Sequence, residues 1–158
     1  MYTGKFILSA NEKSADAIKL RAQIPEFAAA SDAHDGMAIY ALVYDDGEQL
    51  SGAGRLYIDD DSHFRIDLLG VVPEKRGQYM GDLMARMLLY RAQELNAPSV
   101  YLTAPENVIR FFARYGFVAV ARHDGLVDMK VDAPDIRLEG SCSRGKGAPC
   151  SGNCAECK

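Results

Sequence analysis

The run Val71-Val72-Pro73-Glu74-Lys75-Arg76-Gly77-Gln78-Tyr79-Met80-Gly81 stands between an apolar segment, residues 64–72, and an amphipathic one, residues 80–95. A glycine-bearing loop that follows a strand and opens a helix has the chemistry of an anion cradle. The first N–H groups of a helix lack intrahelical partners, the helix dipole adds partial positive charge, and Gly admits a close oxygen. Arg76 adds a cation. The loop has neither the Gly-Lys-Ser/Thr of a nucleoside-triphosphate loop nor the Gly-x-Gly-x-x-Gly of a dinucleotide fold, so its residue types point to a pyrophosphate cradle of another kind. Asp67 is an acid in the otherwise apolar run Ile66-Asp67-Leu68-Leu69, where strand alternation gives it a face with Arg65, Leu69 and Val71.

The four cysteines, Cys142, Cys150, Cys154 and Cys157, all fall in the last seventeen positions, among Gly145, Gly147 and Gly152. Four thiolates on a pliable segment can close a tetrahedral zinc site or hold an iron–sulfur cluster. Zinc is the expectation, because closed all-thiolate sites stabilise small segments, although the spacing matches no standard zinc ribbon. Free or oxidised thiols are the alternative.

The elements that must position these groups can be read from periodicity and turn residues. Residues 5–8 read as a first strand, and Ser14 as the N-cap of a helix carrying Ala17, Ile18 and Ala22. Pro25 breaks it, with a second short helix expected over 25–30 before a polar stretch at 31–36. Residues 37–44, 50–58 and 64–72 read as an antiparallel meander turning through Asp45-Asp46-Gly47 and Asp59-Asp60-Asp61-Ser62. These acidic runs read as solvated turns. Helix 80–95 places Leu83, Met84, Met87, Leu88, Ala92 and Leu95 on one side and ends at Asn96, with Pro98 beyond. A strand at 99–103 then makes a right-handed parallel crossover. A short helix at 106–115, Gly116 as its left-handed cap, a strand from Phe117 and another at 125–131 complete the pattern.

The run Val-x-Pro-Glu-x-Arg-Gly-x-x-x-Gly, followed by a helix, a strand and Glu106-Asn107-Val108-Ile109-Arg110-Phe111-Phe112-Ala113-Arg114-Tyr115-Gly116-Phe117, resembles the two signature segments of the GNAT N-acetyltransferase superfamily. The resemblance covers roughly residues 3–131. It implies an α/β fold with a mixed, mostly antiparallel twisted sheet of about seven strands and helices on both faces. It also implies acetyl-CoA as cosubstrate, with acetyl transfer to a primary amine of a small molecule or peptide by direct attack in a ternary complex. By the same resemblance, Arg76, Gly77, Gln78, Tyr79, Met80 and Gly81 hold the pyrophosphate, and Leu69, Val71 and Val72 offer backbone groups to the pantetheine and thioester. Asn107 matches a residue that contacts the pantetheine arm or the substrate side; its other reading is a helix cap. Asp67 takes the amine proton, directly or through water, or else pairs with Arg65 or a neighbouring strand. Tyr79 departs from the family's middle glycine, and its N–H serves the anion if its φ is negative and its ring points away. Phe112 stands where the family often has the Tyr that protonates the leaving thiolate, which leaves Tyr115, three residues on, or solvent for that role.

At 158 residues, 48% hydrophobic and 25% charged, the chain fits one globular domain, residues 1–133, followed by a Cys-rich tail at 134–158. The net charge of -4 argues against a nucleic-acid or anionic-membrane binder, since such partners select a basic face, and suits a cationic acceptor. No leader-like segment and no apolar run of ~20 residues is read, so a cytoplasmic protein without a membrane span is expected. His34, His63 and His123 show no ligand spacing and receive no role. The acceptor and the oligomeric state stay open, a homodimer included. A second class also fits: a catalytically weak CoA-binding regulatory or interaction module with a metal- or redox-sensing Cys tail.

Overall fold

The structure, a computed structural model, describes residues 3–8, 12–25, 27, 32–77 and 79–138. Its sheet grows from the alternation expected of the meander. Strands β1 (Thr3–Leu8), β2 (Ile39–Tyr44), β3 (Leu50–Ile58) and β4 (Phe64–Val71) pair antiparallel in chain order. Helix α2 (Met80–Glu94) carries the chain back to β5 (Ser99–Pro105), parallel to β4, and β6 (Val118–His123) and β7 (Leu126–Asp132) add the order β5-β7-β6. The sheet is seven-stranded and mixed, with one parallel pair.

Successive side chains of a strand point to opposite faces, so each central strand feeds two apolar layers. Ala41, Val43 and Leu56 pack with Met84, Leu88 and Leu89 of α2 on one face. Tyr40, Leu42 and Ala53 pack with Ala17 and Leu20 of α1 (Glu12–Arg21) on the other. Helices therefore cover both faces, as the resemblance implied.

Several boundaries differ from those read in the sequence, each for a local reason. Ser14 is not the N-cap of α1 but lies within it, buried, its Oγ without a hydrogen-bond partner among the described residues. Residues 35–37 form a 3-10 turn rather than the start of β2. Of the short helix expected over 25–30, too little lies within the described residues to describe it. Leu95 is 41% exposed and caps α2 instead of joining its buried side. Asn96 does take φ 57, and the Asn96 and Ala97 amides donate to the Gln93 and Ala92 carbonyls, closing the helix by a Schellman motif. The helix expected over 106–115 is a 3-10 turn, Glu106–Val108, followed by the five-residue α3, Ile109–Ala113.

Gly116 has φ 102, and a Cβ there would sit 2.2 Å from the Asp135 carbonyl oxygen. That close approach belongs to residues 133–138, which fold back along α3. The Arg137 amide donates to the Tyr115 carbonyl at 2.9 Å, and Ile136 and Leu138 pack on the core. The boundary expected at 133/134 thus falls within a packed stretch. No helix among the described residues is long and apolar enough to cross a membrane.

Candidate active site

Strand β4 joins β5 only through Phe64↔Val100 and Arg65↔Tyr101, although β5 continues to Pro105 and pairs with β7 throughout. The cause lies in β4 itself. Between the pairs Ala53↔Gly70 and Arg55↔Asp67, Gly54 of β3 faces two residues, Leu68 and Leu69, and Leu68 takes φ 48. A positive φ at a bulky residue is an outlier, and a bulge bends its strand and increases the twist. Bent at Leu68, β4 leaves β5, and a wedge opens in the middle of the sheet.

The bulge also decides which groups line the wedge. The Val72 amide donates to the Ser51 carbonyl at 2.9 Å, and the Val72 carbonyl accepts from Lys75 at 2.9 Å. Val72, expected to offer backbone groups to a ligand, has its N–H engaged and keeps one lone pair of its carbonyl. Because backbone groups alternate between the two edges of a strand, those of Leu69 and Val71 turn toward the wedge. The Val71 carbonyl accepts the Arg76 Nε–H at 3.1 Å, which folds Arg76 back over the strand end.

Below the wedge runs the loop. A 3-10 turn, Pro73–Lys75, leads to Gly77 at φ 82 and then to Tyr79, the N-cap residue of α2. Gln78 lies outside the described residues. Tyr79 makes no side-chain cap, so the first-turn amides of Met80, Gly81 and Asp82 keep the unpaired character of a helix start. The negative φ that the Tyr79 N–H needs in order to serve the anion is not what the chain adopts: φ is 63, the left-handed conformation a glycine takes without cost. Its ring is 70% exposed. Tyr79→Gly should accordingly leave the protein as stable or raise stability by up to about 1 kcal/mol, measured by urea unfolding, since strain relief offsets the entropy of glycine.

Alternation gives Asp67 a face with Arg65, but the bulge reverses the strand's facing beyond it. Leu69 and Val71 pack in the α2 layer, so their expected shared face with Asp67 is corrected. Leu68 instead lines a small cleft on the α1 face with Arg21, Ile24, Phe27, Tyr40 and Arg55. Asp67 faces Arg55 across the β3–β4 pair. Arg55 Nε donates to Asp67 Oδ1 and Nη2 to Oδ2, both at 2.7 Å. The pairing is with the neighbouring strand and not with Arg65, which donates instead to Thr103 Oγ1 at 2.9 Å.

Arg55 is 2% exposed and does more than hold Asp67. Nη1 reaches Asp32 Oδ1 at 2.6 Å and Asp35 Oδ1 at 3.1 Å, and Nη2 reaches Asp32 Oδ2 at 3.1 Å. Asp35 in turn accepts both Nη groups of Arg21, at 3.0 and 2.6 Å, together with the Tyr40 hydroxyl. Burial alone would lower the pKa of Arg55, but its bonds to Asp67 and Asp32 outweigh that and raise it. Asp32 is held below the usual carboxylate range by the hydrogen bond from Arg55. Tyr40 is pushed up by burial and by Asp35. Two guanidiniums against three carboxylates leave a formal excess of one negative charge. Its solvent-facing part is Asp32 and Asp67, whose side chains are 47% and 31% exposed.

Sequence reasoning named Asp67 but missed Arg21, Asp32, Asp35, Tyr40 and Arg55. The hairpin register was a usable signal: counting outward from Ile58↔Phe64 brings Arg55 opposite Asp67. Asp45 and Asp59 are turn residues, as read. Asp45 Oδ1 accepts the amides of Gly47 and Gln49, and Asp59 Oδ1 those of Asp61 and His63. On the same face as Asp67, Arg65, Thr103, Asp128 and His123 form a hydrogen-bonded row across four strands, with His123 Nε2 3.0 Å from Asp128.

Toward the second signature the outcome is mixed. Asn107 is exposed in the 3-10 turn after β5, and the capping positions fall to Pro105 and Val108, so it is not a cap. Phe112 packs edge-on against Phe111 and Phe117. Tyr115 is 3% exposed and donates its hydroxyl to Asp82 in the first turn of α2. Burial, then Asp82, push its pKa up, which makes it a poorer proton donor. Its position is that of a brace between α3 and α2. The four tail cysteines lie outside the described residues.

The fold as a whole is similar to that of solved proteins. The solved acyl-CoA N-acyltransferase of Pseudomonas aeruginosa matches with a TM-score of 0.70 at 22% identity, covering 83% of this chain and 99% of that one. Escherichia coli ElaA matches with a TM-score of 0.70 at 18% identity, over 84% and 100%. The putative streptothricin acetyltransferase of Bacillus anthracis, solved in complex with acetyl coenzyme A, matches with a TM-score of 0.53 at 18% identity, over 60% and 62%. At these identities the likeness speaks for the fold. The family is shown by sequence: residues 7–117 match the model of the acetyltransferase (GNAT) family, spanning β4, the loop, α2 and the segment through Phe117, and on that match the chain belongs to the GNAT acetyltransferases.

Proposed function

We propose that this protein transfers an acetyl group from acetyl-CoA to a primary amine of a small molecule or peptide, in a ternary complex without an acyl-enzyme. The observation that supports this reading most is the wedge between β4 and β5, with the loop and α2 start on one side and Asp67 on the other. The pyrophosphate is held by Arg76, Gly77 and the amides of Met80 and Gly81, with Tyr79, at its positive φ, left out of the cradle. The pantetheine arm lies along the edge of β4, where Leu69 and Val71 offer N–H groups, one of them to the thioester oxygen. Asn107 borders the arm from the end of β5.

The amine nitrogen attacks the carbonyl carbon, the C–S bond breaks, and CoA leaves as thiolate. A free amine has a pKa near ~10, so the acceptor arrives as ammonium and must lose a proton. Asp67 keeps a lone pair on each oxygen beyond those that meet Arg55, enough to receive the ammonium and take its proton through water. The thiolate, a modest base with pKa near ~8.5, takes a proton from solvent, since Tyr115 is committed to Asp82.

Thiol release from acetyl-CoA measured against a panel of diamines, amino acids and peptides tests the reading. Saturable, amine-dependent release is expected, with kcat reduced about 10²-fold or more in Asp67→Asn. Tight acetyl-CoA binding with no turnover across the panel would instead favour the regulatory module. For the tail, Cys142, Cys150, Cys154 and Cys157 are proposed to hold one zinc ion. Purified protein should carry near-stoichiometric zinc by elemental analysis and lose it in Cys150→Ser; metal-free wild-type protein from zinc-replete growth would end that idea.

A further inference from the structure

Arg55 has five N–H groups, and the five hydrogen bonds found for it use them all: one from Nε, two from Nη1 and two from Nη2. A guanidinium so engaged has no donor left for an incoming anion. It also has one rigid plane, so its partners are fixed relative to each other. Those partners come from separate parts of the chain. Asp67 is on β4 next to the bulge, while Asp32 and Asp35 are in the turn after α1. The turn is further bound by Arg21 of α1, and the Asp32 amide donates to Asp35 Oδ2 at 2.9 Å.

The Asp67 side chain is 31% exposed. Its neighbour Leu68 is the strained residue of the bulge, and β5 has already left the strand, so no ladder on that side fixes it. We infer that Arg55 is a positioning residue for acetyl transfer: it orients the Asp67 carboxylate at the wedge and ties that orientation to the turn carrying Asp32 and Asp35. The inference rests on the amine-transfer reading and adds to it a residue that touches neither substrate. Because the hub is saturated, it further specifies an acceptor whose amine is recognised without a carboxylate bound to Arg55.

A double-mutant cycle distinguishes positioning from bulk stabilisation. Arg55→Lys keeps the charge but replaces the planar fork by a point charge with three donors, so Asp67 loses its two-bond hold. In the wild-type background, kcat for the preferred amine should fall about 10- to 100-fold, with the KM for acetyl-CoA within about 2-fold. In the Asp67→Asn background the same change should lower kcat no further, because the group it orients is no longer a base. Equal losses in both backgrounds would overturn the inference while leaving amine transfer intact. Wild-type protein that binds acetyl-CoA but turns over no amine would overturn the underlying reading, and the inference with it. Should Arg55→Lys prove unfolded by circular dichroism, Asp32→Asn replaces it in the cycle. Asp32 is half-exposed, and its loss should reduce kcat about 3- to 10-fold in wild type only; additive losses there count against the inference equally.

Discussion

Arg55→Met should lower the free energy of unfolding by about 3–5 kcal/mol, the cost of removing one partner from a buried ion-pair cluster. The size follows from what is left behind. Methionine fills much of the space of the arginine stem, so the loss is not chiefly a cavity. Asp35, 5% exposed at its side chain, loses one of its two guanidinium partners, and Asp67 loses the two-bond hold of Arg55. Urea unfolding followed by circular dichroism gives the value. Arg91→Met is the comparison: Arg91 pairs with Glu94 at 3.0 Å on the open side of α2, and a pair of that kind contributes less than about 1 kcal/mol. Similar losses in the two variants would mean that the hub is stabilised no better than a surface pair.

Gly116→Ala should cost about 2–4 kcal/mol, from a positive φ that alanine disfavours and from overpacking against main chain. The nearest obstacle, the Asp135 carbonyl, cannot swing aside as a side chain would, and Val131 Cγ2 waits at 3.0 Å. Relief would require residues 133–138 to lift from α3, with loss of the bond from the Arg137 amide to Tyr115. Gly77→Ala separates the two terms. At φ 82 with nothing within 4 Å of its added Cβ, it should show the backbone cost alone, about 1–2 kcal/mol. If Gly116→Ala unfolds at the same urea concentration as Gly77→Ala, the close approach of residue 135 contributes nothing to stability.

The fold was legible wherever local chemistry dictated it. β3 occupies the residues read for it, because apolar content and turn residues at both ends leave no other solution. Asn96 ended α2 for the reason a short amide side chain tolerates the left-handed region. The crossover from β4 to β5 followed from the order strand, helix, strand. The bulge was not legible, since Leu68 has no feature that marks it for a positive φ, and so the facing of Leu69 and Val71 was misassigned. The positive φ of Tyr79 left one trace, its place where the family has a glycine, although the residue's own preference is against that angle. The hub was hidden in another way. Asp32 and Asp35 look like solvated turn residues in sequence, and only the return of that turn onto β3, 20 or more positions later, turns them into partners of Arg55.

The parting of β4 from β5 gives the molecule a sheet that is incomplete at its centre rather than at its rim. An ordinary edge invites another chain, which is why sheets guard their outer strands. Here the vacant ladder lies inside, with β4 on one side and β5 on the other. A thin, flexible molecule carrying amide groups of its own could lie there as an eighth strand.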